Sequence, residues 1–173
     1  VSGMLLSNIL HNVVEHGTGR RARRLTTEDG VSIPVVGKTG TTNGYRNAAF
    51  VGMVPKAQSG NWELMDGVTV ATYVGFDDNT PMRFGRTTLS GASGALPVWM
   101  ETVRGIGRSE FIGYPKADMN FNAPEEFGFH SVVVDRMTGH ALENGSAETW
   151  IYNPNVLWGQ EPTHIRAFAP VDA

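Results

Sequence analysis

The chain contains no cysteine, which excludes disulfides and thiolate metal sites. It has no apolar run near the roughly 18 residues that a membrane-spanning helix needs. Nothing at the start reads as a signal peptide, so no membrane segment is expected within the chain. Net positive charge is also missing: 14 basic against 17 acidic residues leave a formal charge of −3. A dedicated nucleic-acid binder is usually basic, so nucleic acid is not an expected partner. There is no start methionine, and the first residues already have helical character. The expectation is a piece of something longer. No internal repeat interrupts the pattern.

What is present is enough for one sizeable domain, or a modest domain with an appendage, in 173 residues. The 21 glycines and 9 prolines call for many turns. One basic run, RRARR (Arg20, Arg21, Arg23, Arg24), reads as a solvated loop after a helix, with a docking patch for an anionic partner as the alternative.

Along the chain, Leu5, Leu6, Ile9, Leu10, Val13 and Val14 form an i, i+4 stripe, predicting a helix over residues 1–16 with one buried face and a stop at Gly17 or Gly19. VSIPVVG alternates as a strand, and Pro34 restricts it to a sheet edge. Residues 48–54 and 67–76 read as two more strands, joined by a long turn-rich connection. SGASGALPVWMETVRG has helical spacing, with Pro97 fitting only a first turn or a kink. Short connections make the strands an antiparallel meander. Residues 1–112 are therefore expected to form an α/β unit, an antiparallel sheet flanked by helices. Residues 113–173 read as a C-terminal appendage of short strands and loops.

The stretch GKTGTT (residues 37–42) carries the chemistry. A phosphate-binding loop needs G-x-x-x-x-G-K-[ST], but Ser32 stands where the first glycine belongs, and the intervening IPVV is a strand pattern. No helix start follows to face a phosphate. A carboxylate-binding edge strand fits the residues better. Lys38 supplies a fixed positive charge. Gly40 lets a peptide lie flush against the backbone. The hydroxyls of Thr39 and Thr41 can bond a terminal carboxylate, at about 1.5–3 kcal/mol per charged hydrogen bond. On such a strand Lys38 and Gly40 point to one face, while Thr39 and Thr41 point to the other or follow the strand's twist. A plain threonine- and glycine-rich turn remains the alternative if the motif is taken alone.

The motif is not alone. GKTGTTNGYRNAAFVGMVP, followed by VATYVGFDDNTPM and SGASGALPVW, resembles the transpeptidase domain of the bifunctional (class A) penicillin-binding proteins. VVVDRMTGHAL and GQEPT resemble that family's C-terminal extension. The resemblance implies a partial penicillin-binding transpeptidase (serine β-lactamase-like) fold. It also implies the family's reaction, in which a serine attacks the D-Ala–D-Ala bond of a peptidoglycan stem peptide. The acyl group then passes to an amine, and β-lactams trap the same serine. Carried over, Lys38 supplies charge and assists proton transfer. Thr39, Thr41 and Thr42 contact the substrate, Gly40 admits its backbone, and the Thr41 N–H completes an oxyanion hole. The resemblance implies no metal and no organic cofactor. It implies a location at the extracytoplasmic face of the bacterial cytoplasmic membrane, a membrane-anchored parent that can carry a glycosyltransferase domain as well, and a complementary N-terminal half as partner.

The departures are equally informative. No serine is followed three positions on by lysine, so the family's S-x-x-K nucleophile is absent. Ser59–Gly60–Asn61 and the Tyr45 stretch imitate the S-x-N motif but follow the lysine motif instead of preceding it, and are read as coincidence. The chain alone is therefore expected to be inactive. A non-catalytic structural or binding fragment, or a related D,D-carboxypeptidase or β-lactamase, are the alternatives. GASGA misses the G-x-S-x-G elbow at Ala95. His11 and Glu15 share a helix face without a third metal ligand. Asp77 and Asp78 read as strand-end turn residues. Tyr45, Arg46 and Asn47 are candidates for the border of a substrate groove.

Overall fold

A computed structural model of the chain describes residues 2–108, 112–119, 128–135, 138, 140–142 and 147–152. The chain divides into two compact units, Val13–Met119 and Val1–Asn12 with Asn120–Ala173. The fold is α/β with antiparallel pairing throughout the described strands.

Helix α1 spans Ser2–Glu15. It ends because the N–H groups of Gly17 and Gly19 both donate to the carbonyl of Val13, at 3.0 and 3.1 Å, and close the last turn. After a short turn-rich segment come β1 (Val36–Thr41), β2 (Asn47–Gln58) and β3 (Asn61–Gly75), paired in the order β1-β2-β3. The strand around Pro34 thus begins at Val36 and not at Val31. The residues before it form a small hairpin, in which Ile33 N–H bonds Leu25 carbonyl at 2.9 Å.

The connection between the second and third strands is no loop. Ladder pairing runs on through Lys56–Gln58 and Asn61–Glu63, with a register shift at Pro55/Lys56, to a turn at Ser59 and Gly60 where both residues have positive φ. Pro55 pairs with Gly67 but Lys56 with Glu63, so residues 64–66 bulge out of β3 before the ladder resumes.

Alternation along the strands sets the two faces. Ala48, Phe50 and Val54 of β2 are buried, and Val68, Val70 and Val74 of β3 pack against the same core. On the opposite face Val51 is 48% and Tyr73 67% exposed. Over the buried face lie a π-helical turn, Gly91–Ala95, and helix α2, Leu96–Gly107, in whose first turn Pro97 sits. Trp99 is fully buried, edge-on to Phe50 at 4.9 Å between ring centroids, and its indole N–H bonds the Val70 carbonyl at 2.9 Å. Two-residue strands β4 (Arg83–Phe84) and β5 (Thr87–Thr88) make a separate hairpin.

In the other unit, β6 (Phe129–Val134) and β7 (Ala147–Tyr152) form an antiparallel pair. The N-terminal half of α1 buries not the expected leucines but Asn8 and Asn12, while Leu6 is 55% and Ile9 43% exposed. Asn8 Oδ1 accepts the Trp150 N–H at 3.1 Å and is within 3.4 Å of the Thr149 hydroxyl; Asn12 Nδ2 donates to the Asn8 carbonyl. A strand amide needs an acceptor, which asparagine has and leucine lacks. The GQEPT stretch lies outside the described residues.

Candidate functional site

Strand β1 carries the lysine motif at the margin of its sheet; among the described residues only β2 pairs with it. The register assigns its faces. Thr39 lies opposite Phe50 and Thr41 opposite Ala48, on the side that bears α2; Lys38 lies opposite Val51 and Gly40 opposite Ala49, on the exposed side.

The hydrogen-bond phase follows from one contact. Thr42 N–H donates to the Asn47 carbonyl at 2.9 Å, continuing the register one step past the strand. Antiparallel ladders alternate between pairs that exchange hydrogen bonds and pairs that do not. Lys38, Gly40 and Thr42 therefore turn their amide and carbonyl groups to β2, and Thr39 and Thr41 turn theirs to the open margin. The Lys38 ammonium, on an exposed side chain, reaches one of these outward groups, the Thr39 carbonyl, at 3.1 Å. A row of unpaired backbone groups with a cation beside it can add an extended peptide as a further strand.

The two threonine hydroxyls are each held from outside the strand. Thr39 Oγ1 lies 2.7 Å from Thr18 Oγ1. Thr41 Oγ1 accepts the Gly91 N–H at 2.9 Å. Only glycine fits at 91, since a Cβ there would stand 2.6 Å from the Gly40 carbonyl and 2.7 Å from that of Ala49. Neither Thr18 nor Gly91 carries a sequence signal of its own, because each meets β1 only through the fold. By contrast a Cβ at Gly40 would meet nothing nearer than the Ala49 Cβ at 3.7 Å, so its outer side is open.

Thr42 is placed differently. Its hydroxyl accepts the Asn47 N–H at 2.9 Å and so closes the β1–β2 turn. Tyr45, Arg46 and Asn47 lie in that turn. Arg46 donates to the Asn79 carbonyl at 2.6 Å, and Met82 N–H bonds the Tyr45 carbonyl at 2.7 Å. Tyr73 hydroxyl bonds Asn47 Oδ1, and the Arg83 guanidinium stacks 5.6 Å from the Tyr45 ring centre. Asp78 accepts from the Thr80 N–H at 2.9 Å, and hydrogen bonding to Thr80 holds its carboxyl below the usual range. Whatever that turn gains from the ionised carboxylate is present at neutral pH and lost as the pH falls through the lowered value.

The imitation S-x-N forms the β2–β3 turn, where Lys116 N–H bonds the Gly60 carbonyl. In GASGA, Ser90 and Ser93 cap the π-helical turn reciprocally: Ser93 N–H donates to Ser90 Oγ at 3.3 Å and Ser90 N–H to Ser93 Oγ at 2.9 Å. Arg23 donates to the Glu15 carbonyl at the end of α1 and lies 4.0 Å from its carboxylate. Among the described residues no three His, Cys, Asp or Glu groups converge as a metal site, and no helix is long and apolar enough to cross a membrane.

Comparison with known proteins gives a consistent result. The chain is similar to penicillin-binding protein 1A of Rickettsia bellii (28% identical over 160 residues, 92% of this chain and 17% of that protein). It is also similar to penicillin-binding protein 1A of Rickettsia prowazekii (27% over 145 residues, 84% and 15%). A third relative is penicillin-binding protein 1A of Neisseria gonorrhoeae (36% over 100 residues, 58% and 10%). The chain thus spans between about a tenth and a sixth of these relatives' length. No protein-family model and no solved structure matches it. The resemblance to a part of a penicillin-binding protein is thereby shown.

Proposed function

We propose, from the similarity to penicillin-binding protein 1A and the open margin of β1, that the chain is the C-terminal part of a serine D,D-transpeptidase domain with a partial serine β-lactamase-like fold. The division at residues 112 and 113 into transpeptidase part and appendage belongs to this proposal. So does an extracytoplasmic location in the parent protein.

In this reading the stem peptide lies along β1 as an added strand, pairing with the outward groups of Thr39 and Thr41. Lys38 neutralises the terminal carboxylate and favours ionised neighbours. From the other side of the strand, Thr39 and Thr41 donate hydroxyl hydrogen bonds to the same carboxylate at the margin. The Thr41 N–H faces the oxygen on which charge develops, and losing one such donor typically costs about 10²–10³ in rate. Gly40 has no side chain to hold the substrate away. Thr42 acts indirectly, by fixing the turn. The attacking serine and the S-x-N motif must come from a complementary part of the domain, whose surface would also cover Val51 and Tyr73. Peptidoglycan stem peptides and β-lactams are the partners.

The observation that carries the reading is the phase of the β1 ladder, with the Lys38 ammonium beside its unpaired groups. Its test is titration of the chain with N-acetyl-D-alanyl-D-alanine and with the C-terminal amide of the same dipeptide, followed by amide NMR shifts. Weak binding of the acid, with perturbations centred on Lys38–Thr41 and little response to the amide, is expected. Equal response to both, or none, removes the carboxylate site.

A non-catalytic role for the chain by itself is favoured by one observation, the absence of any serine with lysine three positions on. Incubation with a fluorescent penicillin is therefore expected to leave the intact mass unchanged. A mass increase of one penicillin would show that a nucleophile is present after all.

A further inference from the structure

The sequence G-T-G at residues 17–19 ends helix α1 in a turn with room for only one side chain. The N–H groups of Gly17 and Gly19 converge on the Val13 carbonyl. A Cβ at 17 would stand 2.9 Å from that oxygen; one at 19 would stand 3.2 Å from it and 3.3 Å from Val14 Cγ2. Val14 is 1% exposed, so the turn is footed in the core. What this pinned turn presents is the Thr18 hydroxyl, 2.7 Å from that of Thr39.

A carboxylate has only acceptors, so a threonine that binds it must offer its single proton. Thr41 is already arranged to do this, because the Gly91 N–H takes up one of its lone pairs and leaves the proton to point elsewhere. When Thr18 donates to Thr39 Oγ1, Thr39 is brought to the same state. A hydroxyl held in one rotamer also loses less freedom when its ligand arrives.

We propose that Thr18 is a positioning residue for the carboxylate site: by donating to Thr39 Oγ1 it orients the Thr39 hydroxyl as a donor to the terminal carboxylate of an acyl-D-alanyl-D-alanine peptide. This rests on the carboxylate-binding reading of β1. The bare alternative, a hydroxyl pair that merely ties the turn to the strand, makes a different statement about ligand choice, and that difference is measurable.

The test uses the full chain with Thr18→Val and Thr18→Ser, titrated with N-acetyl-D-alanyl-D-alanine and with its C-terminal amide. Thr18→Val is expected to weaken binding of the acid about fivefold, the worth of one neutral hydrogen bond, and to leave the amide unaffected. Thr18→Ser, which keeps the hydroxyl, is expected to stay within about twofold of the parent. An unchanged preference for acid over amide in Thr18→Val overturns the proposal. So does an equal loss in both variants, which points to packing of the turn. If the unsubstituted chain shows no preference for the acid, the carboxylate reading itself fails and the role of Thr18 falls with it; that outcome appears before any substitution is made.

Discussion

Replacing Trp99 with alanine is expected to lower the stability of the larger unit by about 3–5 kcal/mol, the usual cost of removing a fully buried aromatic side chain. Trp99 does three things at once. It fills the space between α2 and the sheet, it meets Phe50 edge-on, and it gives the Val70 carbonyl a second donor. The strand opposite makes way for it: a Cβ on Gly52 would lie 2.8 Å from the indole ring. Alanine would leave a void and remove the indole hydrogen bond together, and total stabilities of domains this size are only about 5–15 kcal/mol. Trp99→Phe retains much of the apolar contact and loses one neutral hydrogen bond, so a smaller loss is expected, about 0.5–1.5 kcal/mol. Urea unfolding followed by circular dichroism measures both. A loss below about 1 kcal/mol for Trp99→Ala would mean that α2 does not hold the sheet.

The second large effect concerns binding and leaves stability alone. Lys38 is exposed, and its described contact is to the carbonyl of the adjacent residue. Lys38→Met should therefore change folding stability by less than about 0.5 kcal/mol. Its effect on N-acetyl-D-alanyl-D-alanine is expected to be a loss of at least about tenfold, since a hydrogen bond to a charged group is worth about 1.5–3 kcal/mol. Binding by the unsubstituted chain should weaken with added salt as the ammonium is screened, and that dependence should vanish in Lys38→Met. Lys38→Arg keeps the charge on a longer planar group and is expected to fall between the two. Binding by Lys38→Met within twofold of the parent would dissociate the lysine from the site.

These two residues mark what could be read from the sequence and what could not. The strand alternation of β2 and β3 and the position of Pro97 follow from local rules of period and proline geometry, and the fold agrees with them. The lysine strand lies at the sheet margin among the described residues, but Pro34, from which an edge was read, precedes the strand. The length of the β2–β3 hairpin was hidden because its turn-rich residues read as a connection, whereas pairing resumes past a bulge in β3. The buried side of the first half of α1 was misread from its apolar stripe. The partner there offers backbone N–H groups, so asparagines and not Leu6 or Ile9 turn inward. Lys38, Thr39, Gly40 and Thr41 stood out as a contiguous motif. Their supports, Thr18 and Gly91, are separated from it by long stretches of chain, and only tertiary placement brings them to β1.

The central claim is that the outward row of β1 is open and poised to pair with a peptide. Amide hydrogen exchange on the chain, residue by residue, tests it most directly. Lys38, Gly40 and Thr42 are expected to exchange slowly, as ladder donors to β2. Thr39 and Thr41 are expected to exchange fast, and to slow by about tenfold or more when N-acetyl-D-alanyl-D-alanine saturates the strand. Thr39 and Thr41 protected without ligand, or the alternation running in the opposite phase, would contradict the account.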